Sequence, residues 1–243
     1  MNVMTRKFFH LIAAGLSLWM SGNVNAQQAN PSITPPPPVE LQEKTLSAVE
    51  KISPGNFRIG DIEINKNKKS ISFPASINMD KGLLEYLLVQ GAGKTYESLF
   101  RTKVQPYDLQ IAFLLLGFEG TDNPLSFQGA SEKPKGEPVE ITVTYDKRGK
   151  TVEIKPEEWI LTKTKEGKDK NVGALEWVFT GSVIIDGRFL AQIEGSIIAI
   201  YRDPVAMIDN VSPGGESDEI WFVKEGAIPP VGTPVMVTIK AKK

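Results

Sequence analysis

Six side chains in this sequence combine reactive chemistry with suggestive spacing: the carboxyls of Glu97 and Glu194, the amine of Lys94, and the Trp177, Phe179 and Gln192 surface. Two carboxyl groups suffice for hydrolysis when one is protonated and the other ionised, as in glycosidases and aspartic-type peptidases. No Asp-Thr-Gly or Asp-Ser-Gly run accompanies them. An Asp186-Gly187 turn joining Leu175–Ile184 to Phe189–Tyr201 sets Ile185 opposite Arg188 and Glu194 opposite Phe179. Trp177, Phe179, Gln192, Glu194 and Ser196 then share one face, a mixture of aromatic, acid and amide that suits a ligand or sugar platform. The other outcome is that Glu194 pairs beneath a loop and Trp177 fills a second small core.

The remaining chemistry is narrow. The chain has no cysteine, and its one histidine, His10, lies in the N-terminal segment. Arg6 and Lys7, the apolar run Phe8–Met20 and Val24-Asn25-Ala26 have the layout of a secretory signal cut after Ala26. With that leader lost, neither thiol nor imidazole chemistry is left, and so neither thiolate nor imidazole metal ligation. Gly91-Ala92-Gly93-Lys94-Thr95 ends like a phosphate-binding loop, but Leu88 stands where the first glycine of that loop is needed. Lys94 and Ser98 are four apart, a spacing that pairs an amine with a hydroxyl only on a helix. Asp122-Asn123 and Glu216-Ser217-Asp218-Glu219 lack the ligand spacing of a calcium loop. No metal and no cofactor is expected.

The elements that must position these groups are mostly strands. After the leader, Gln27–Val39 reads as a proline-rich tether, and Glu40–Lys51 as one short amphipathic helix ended by Ser53-Pro54-Gly55. The domain is expected from Asn56 to Lys243, with a tether over 27–55. Ile71, Phe73, Ala75 and Ile77 alternate with polar residues, and Pro74 among them marks an edge or a bulge. Val139–Tyr145 and Val152–Ile154 flank an Asp146–Gly149 turn as a hairpin, while Ile220–Val223 and Val235–Ile239 read as closing strands. Pro106–Leu116 opens on a proline, carries Asp108 in its first turn and stops at Gly117, which predicts a buried helix. The fold class is therefore α+β, mainly β: antiparallel sheets built from hairpins with one buried helix.

Charge and hydropathy bound the partners. Losing Arg6 and Lys7 takes the formal charge from −1 to −3, a balance that offers nothing to nucleic acid. Apolar runs after the leader, such as Ile111–Phe118, are too short to span a membrane. The expected location is secreted or periplasmic.

GAGKTYESLFRT from Gly91, then Pro106-x-x-Leu109 and Leu114-Leu115-Leu116-Gly117, form an ordered set of motifs. Trp177-Val178-Phe179-Thr180-Gly181-Ser182, Gly195 and Pro229-Pro230-x-Gly232-Thr233-Pro234 continue it. Together they resemble the YdjY-domain family of exported bacterial proteins over about Asn56 to Lys243. Some relatives carry a ferredoxin-like label, which cannot transfer to a chain without cysteine ligands. Members often place histidine just before the signature glutamate, where this chain has Tyr96. Lys94, Glu97 and Ser98 match the signature.

Two functions are expected from this reading. One is an exported, non-catalytic domain that binds an envelope or extracellular glycan or protein through Trp177, Phe179, Gln192 and Lys94. The alternative is a carboxylate-dependent hydrolase acting on extracellular glycoprotein, with Glu97 and Glu194 as acid and base.

Overall fold

The computed structural model describes residues 47–164 and 166–242. The expected leader and most of the tether lie outside the described residues.

In chain order the strands are β1 (Val49–Ser53), β2 (Asn56–Ile59), β3 (Ile62–Asn65), β4 (Ser70–Ile77), β5 (Tyr86–Gln90) and β6 (Ser98–Thr102). Helix α1 (Pro106–Leu115) follows, then β7 (Glu137–Asp146), β8 (Thr151–Ile154), β9 (Ile160–Lys163), β10 (Asp169–Asn171) and β11 (Trp177–Phe179). A small hairpin of β12 (Ile184–Ile185) and β13 (Arg188–Phe189) leads into α2 (Leu190–Glu194). The chain closes with β14 (Ser196–Ala199), β15 (Ile208–Asn210), β16 (Trp221–Val223) and β17 (Pro234–Ala241).

The main sheet closes on itself. Its strands run β4-β17-β7-β11-β15-β14-β5-β6, and β6 pairs back to β4 through Ser76 with Arg101 and Ile77 with Phe100. Strands β1–β3 extend from β4 as a flange, and β8 extends from β7. The α+β, mainly β class therefore holds, while the sheet of simple hairpins is replaced by a barrel. Two of its pairings, β5 with β6 and β14 with β15, are parallel.

Alternation builds the wall. Val237 pairs with Val143 and Phe73, and Ile239 with Ile141 and Ile71, all buried on one face. On the other face the Ser72 and Thr238 hydroxyls lie 2.9 Å apart, a polar rung. Each fully buried side chain of this size contributes about 1.5–3 kcal/mol of burial free energy.

Pro74 occupies a gap. Along one side of β4, pairing with β3 ends at Ser72 and pairing with β6 begins at Ser76. Between them stands Pro74, which has no N–H, and its carbonyl accepts the Thr102 hydroxyl at 2.7 Å. The edge expected at this proline is thus a break between two partner strands.

Four expectations require correction. Val49–Lys51 lie in strand β1, so the expected helix does not extend over them, and its span up to residue 46 lies outside the described residues. Gly55, with φ of +79°, turns β1 back onto β2. The long hairpin around Asp186-Gly187 shrinks to two pairs, Ile184 with Phe189 and Ile185 with Arg188. Upstream, Gly181 and Ser182 take φ of +80° and +63° and end the strand. Downstream, Leu-Ala-Gln-Ile-Glu forms α2, favoured by its helix formers and closed by Gly195 at φ +70°. Helix α1 is buried on one stripe only: Leu109, Ala112, Phe113 and Leu116 face inward, with the Phe113 ring 4.2 Å from that of Phe179. Its opposite side exposes Tyr107 and Leu114. Finally, β16 joins β9 and β10 in a separate small sheet and does not close the barrel.

Candidate functional site

Strands β5 and β6 run parallel, with Tyr86 in register with Ser98. The residues immediately before them are Glu85 and Glu97, and the Glu85 N–H donates to the Glu97 carbonyl at 2.9 Å. Parallel register thus puts two carboxyl side chains next to each other. The two side chains are close enough for each to shift the other's proton affinity. Partial burial, then the Glu85 charge, pushes the Glu97 carboxyl up to about 7, against the pull of Lys94. Glu85 is also raised, by burial first and Asp218 second, while Lys94, Glu97 and Gln128 favour its ionised form.

The turn between the two strands supplies the amine. Lys94 donates from Nζ to the Tyr86 hydroxyl at 2.9 Å, and Tyr86 donates to Asp203 Oδ2 at 2.6 Å. Gln128 reaches both Glu85 Oε2 and the Tyr86 hydroxyl at 3.3 Å. Burial and the Asp203 charge hold the Tyr86 phenol protonated far above its ordinary range. Asp203 is itself fixed, accepting the Val205 N–H at 2.9 Å and donating its own N–H to Asp209 Oδ1 at 2.9 Å. Burial keeps the Asp209 carboxyl well above the usual carboxylate range, which favours a neutral acid at the base of the network.

Glycines set the turn. A Cβ on Gly93 would lie 2.8 Å from the Glu194 carbonyl oxygen, and one on Gly195 would lie 2.9 Å from Gly93 Cα. The Gln90 N–H donates to the Gly195 carbonyl at 2.8 Å, so the turn is pinned against the end of α2. Asn78 donates to the Thr95 carbonyl and, at 2.7 Å, to that of Ser98, holding the 3-10 turn Thr95–Glu97.

Of the residues singled out from sequence, Lys94 and Glu97 meet in this cluster. Glu194 presents its carbonyl to Gly93 and an exposed side chain to solvent, and the carboxyl beside Glu97 is that of Glu85. Trp177 and Phe179 are core residues, 3% and 0% exposed, because β11 is flanked by β7 and β15 and covered on both faces. The shared face of Trp177, Phe179, Gln192 and Glu194 does not exist. Gln192 instead ties α2 to α1, donating to Gln105 at 2.9 Å and accepting the Tyr107 N–H at 3.1 Å. Ser98 is buried and donates to the Phe100 carbonyl, while Lys94 bonds to Tyr86. Sequence reasoning missed Glu85, Tyr86, Gln128 and Asp203. The available signal was an acid placed directly ahead of each apolar run on either side of one turn.

The raised Glu97 carboxyl has a thermodynamic consequence. Between its unfolded value of 4.5 and its folded value of about 7, the folded chain binds more protons than the unfolded chain. Its contribution to stability is therefore greatest below the lower value and is lost as pH rises through the window. The melting temperature is expected to fall from pH 5 to pH 8, less steeply in Glu97→Gln. Identical slopes in the two proteins would mean that folding does not raise the proton affinity of this carboxyl.

The model of one protein family, described as the YdjY domain, matches residues 62–240, a span that includes all but the last residue of the barrel and both carboxyls. No curated protein and no solved structure matches the chain.

Proposed function

Because the chain belongs to the YdjY domain family, we propose that it acts as an exported, non-catalytic domain that binds an envelope or extracellular glycan or protein at the Glu85–Glu97 cluster. One observation carries this reading: parallel register sets two half-buried carboxyl side chains next to each other beside an amine and an amide, all in one patch. Such an array presents donors and acceptors together, the pattern that hydroxyl-rich or amide-bearing ligands need. Tyr96 is 74% exposed and next to Glu97, which offers an aromatic surface beside the polar groups.

The test uses mucin-type glycoprotein and soluble peptidoglycan fragments as probes, with binding measured by calorimetry at pH 5.5. Binding without cleavage is expected for one of them, weakened at least tenfold in Glu85→Gln and in Lys94→Met. Absence of binding to both probes would overturn the proposal.

A second reading has one specific observation in its favour. Glu97, titrating near 7, could donate a proton while ionised Glu85 activates water, the division of labour of a carboxylate-dependent hydrolase. New chain ends or reducing ends released by the chain and lost in Glu97→Gln would establish this reading in place of the first.

A further inference from the structure

The change of partner along β4 lies beside a cleft of about 490 Å³. Pro74, Ala75, Val104 and Pro234 give it an apolar lining. The backbone at the break has nothing left to offer: Pro74 has no N–H, and its carbonyl is occupied by Thr102. An apolar chain could lie there without stranding a polar group.

Two cations stand over this lining. Arg101 in β6 and Lys103 in the bend just after it both line the cleft, and both are exposed. Neither has a salt bridge among the described residues. The one acid in the lining is Asp61, on the β2–β3 turn. The like charges repel, and a bound anion would relieve that repulsion. The volume falls in the range of small-molecule sites, which are chiefly apolar with a few polar groups fixing orientation.

We propose that this cleft binds a single-chain amphiphile with a carboxylate head, its acyl chain against the prolines and its head between Arg101 and Lys103. The guanidinium fork matches a planar carboxylate, which favours that head over a cationic or neutral one. The cleft also adjoins the other site, because Gly91 lines it and donates its N–H to the Thr102 carbonyl at 2.9 Å.

Titration calorimetry of the purified chain with dodecanoate, below its micellar concentration, tests the proposal. Saturable binding is expected, at least tenfold weaker in Arg101→Glu/Lys103→Glu and weaker again for dodecanol or dodecyltrimethylammonium on the parent. Ala75→Trp, which fills the cleft without altering the charges, should also lose binding while retaining the parent circular dichroism. Failure of dodecanoate to bind, equal affinity in the charge-reversed variant, or equal competition by inorganic phosphate alone would overturn the proposal. So would tight binding seen only after removal of residues 27–46, which would assign the cleft to that proline-rich segment.

Discussion

Replacing Arg202 with methionine is expected to lower stability by about 3–5 kcal/mol, the scale seen when one member of a buried charged network is removed. The side chain is 2% exposed, and its guanidinium donates to five backbone carbonyls. The carbonyls of Asn210 and Ser212 accept at 3.1 Å each, and those of Ala130, Ser131 and Glu132 accept at 3.2, 3.0 and 3.4 Å. Its carboxylate neighbour, Glu216, lies 3.4 Å away but is half exposed, so the carbonyls supply most of the compensation. Methionine fills a similar space and leaves those acceptors dry and unpaired, each a cost of about 1–3 kcal/mol before relaxation. Lysine is no substitute, because one ammonium cannot span the positions that a planar fork reaches. Glu216→Gln should change stability by less than about 1 kcal/mol. Denaturant unfolding distinguishes the cases, and a loss below about 1 kcal/mol for Arg202→Met would refute the argument. The effect should also reach the carboxyl pair, because the Arg202 carbonyl accepts the Gly129 N–H, next to Gln128, at 2.7 Å.

The second large effect concerns the signature turn. Gly93→Ala should cost about 1–3 kcal/mol and weaken ligand binding at the Glu85–Glu97 cluster by tenfold or more. The new methyl group would meet the carbonyls of Glu194, Gln90 and Gly195 at 2.8, 3.1 and 3.2 Å, all of them backbone atoms that cannot swing aside. Relief requires the turn to lift from α2, which carries Lys94 away from the Tyr86 hydroxyl. Gly91→Ala provides the control, since its nearest neighbour would be the Thr102 carbonyl at 3.6 Å, an ordinary contact. Equal stability and equal binding for both variants would show that the close crossing of Gly93 and Gly195 does not position the amine.

Local pattern made much of the fold legible. Strand β4, the β7–β8 hairpin, β17 and helix α1 stand where alternation, turn residues and the Pro106–Gly117 brackets place them. What failed was counted through a misjudged element. Extending the Asp186-Gly187 hairpin past Phe189 ignored the helix-forming run Leu190–Glu194, and every cross-strand partner assigned to Glu194 followed from that error. Barrel closure was not legible because it depends on β6 returning to β4 and on two parallel pairings between segments without a tight turn. The site was half legible for the same reason. Lys94 and Glu97 belong to one short motif, whereas Glu85 is brought to them by parallel register and Gln128 and Asp203 by long-range packing.

The proline at the barrel's seam governs which guests this protein can accept. A peptide seeking to zip onto a sheet needs a row of free main-chain donors and acceptors. At this interruption of the barrel, the donor is missing by covalent structure and the acceptor is already taken. Strand invasion at that point has no foothold, so neither a neighbouring copy nor an unfolded polypeptide can be stitched in there. Selection at the seam falls to side chains alone, through shape and charge.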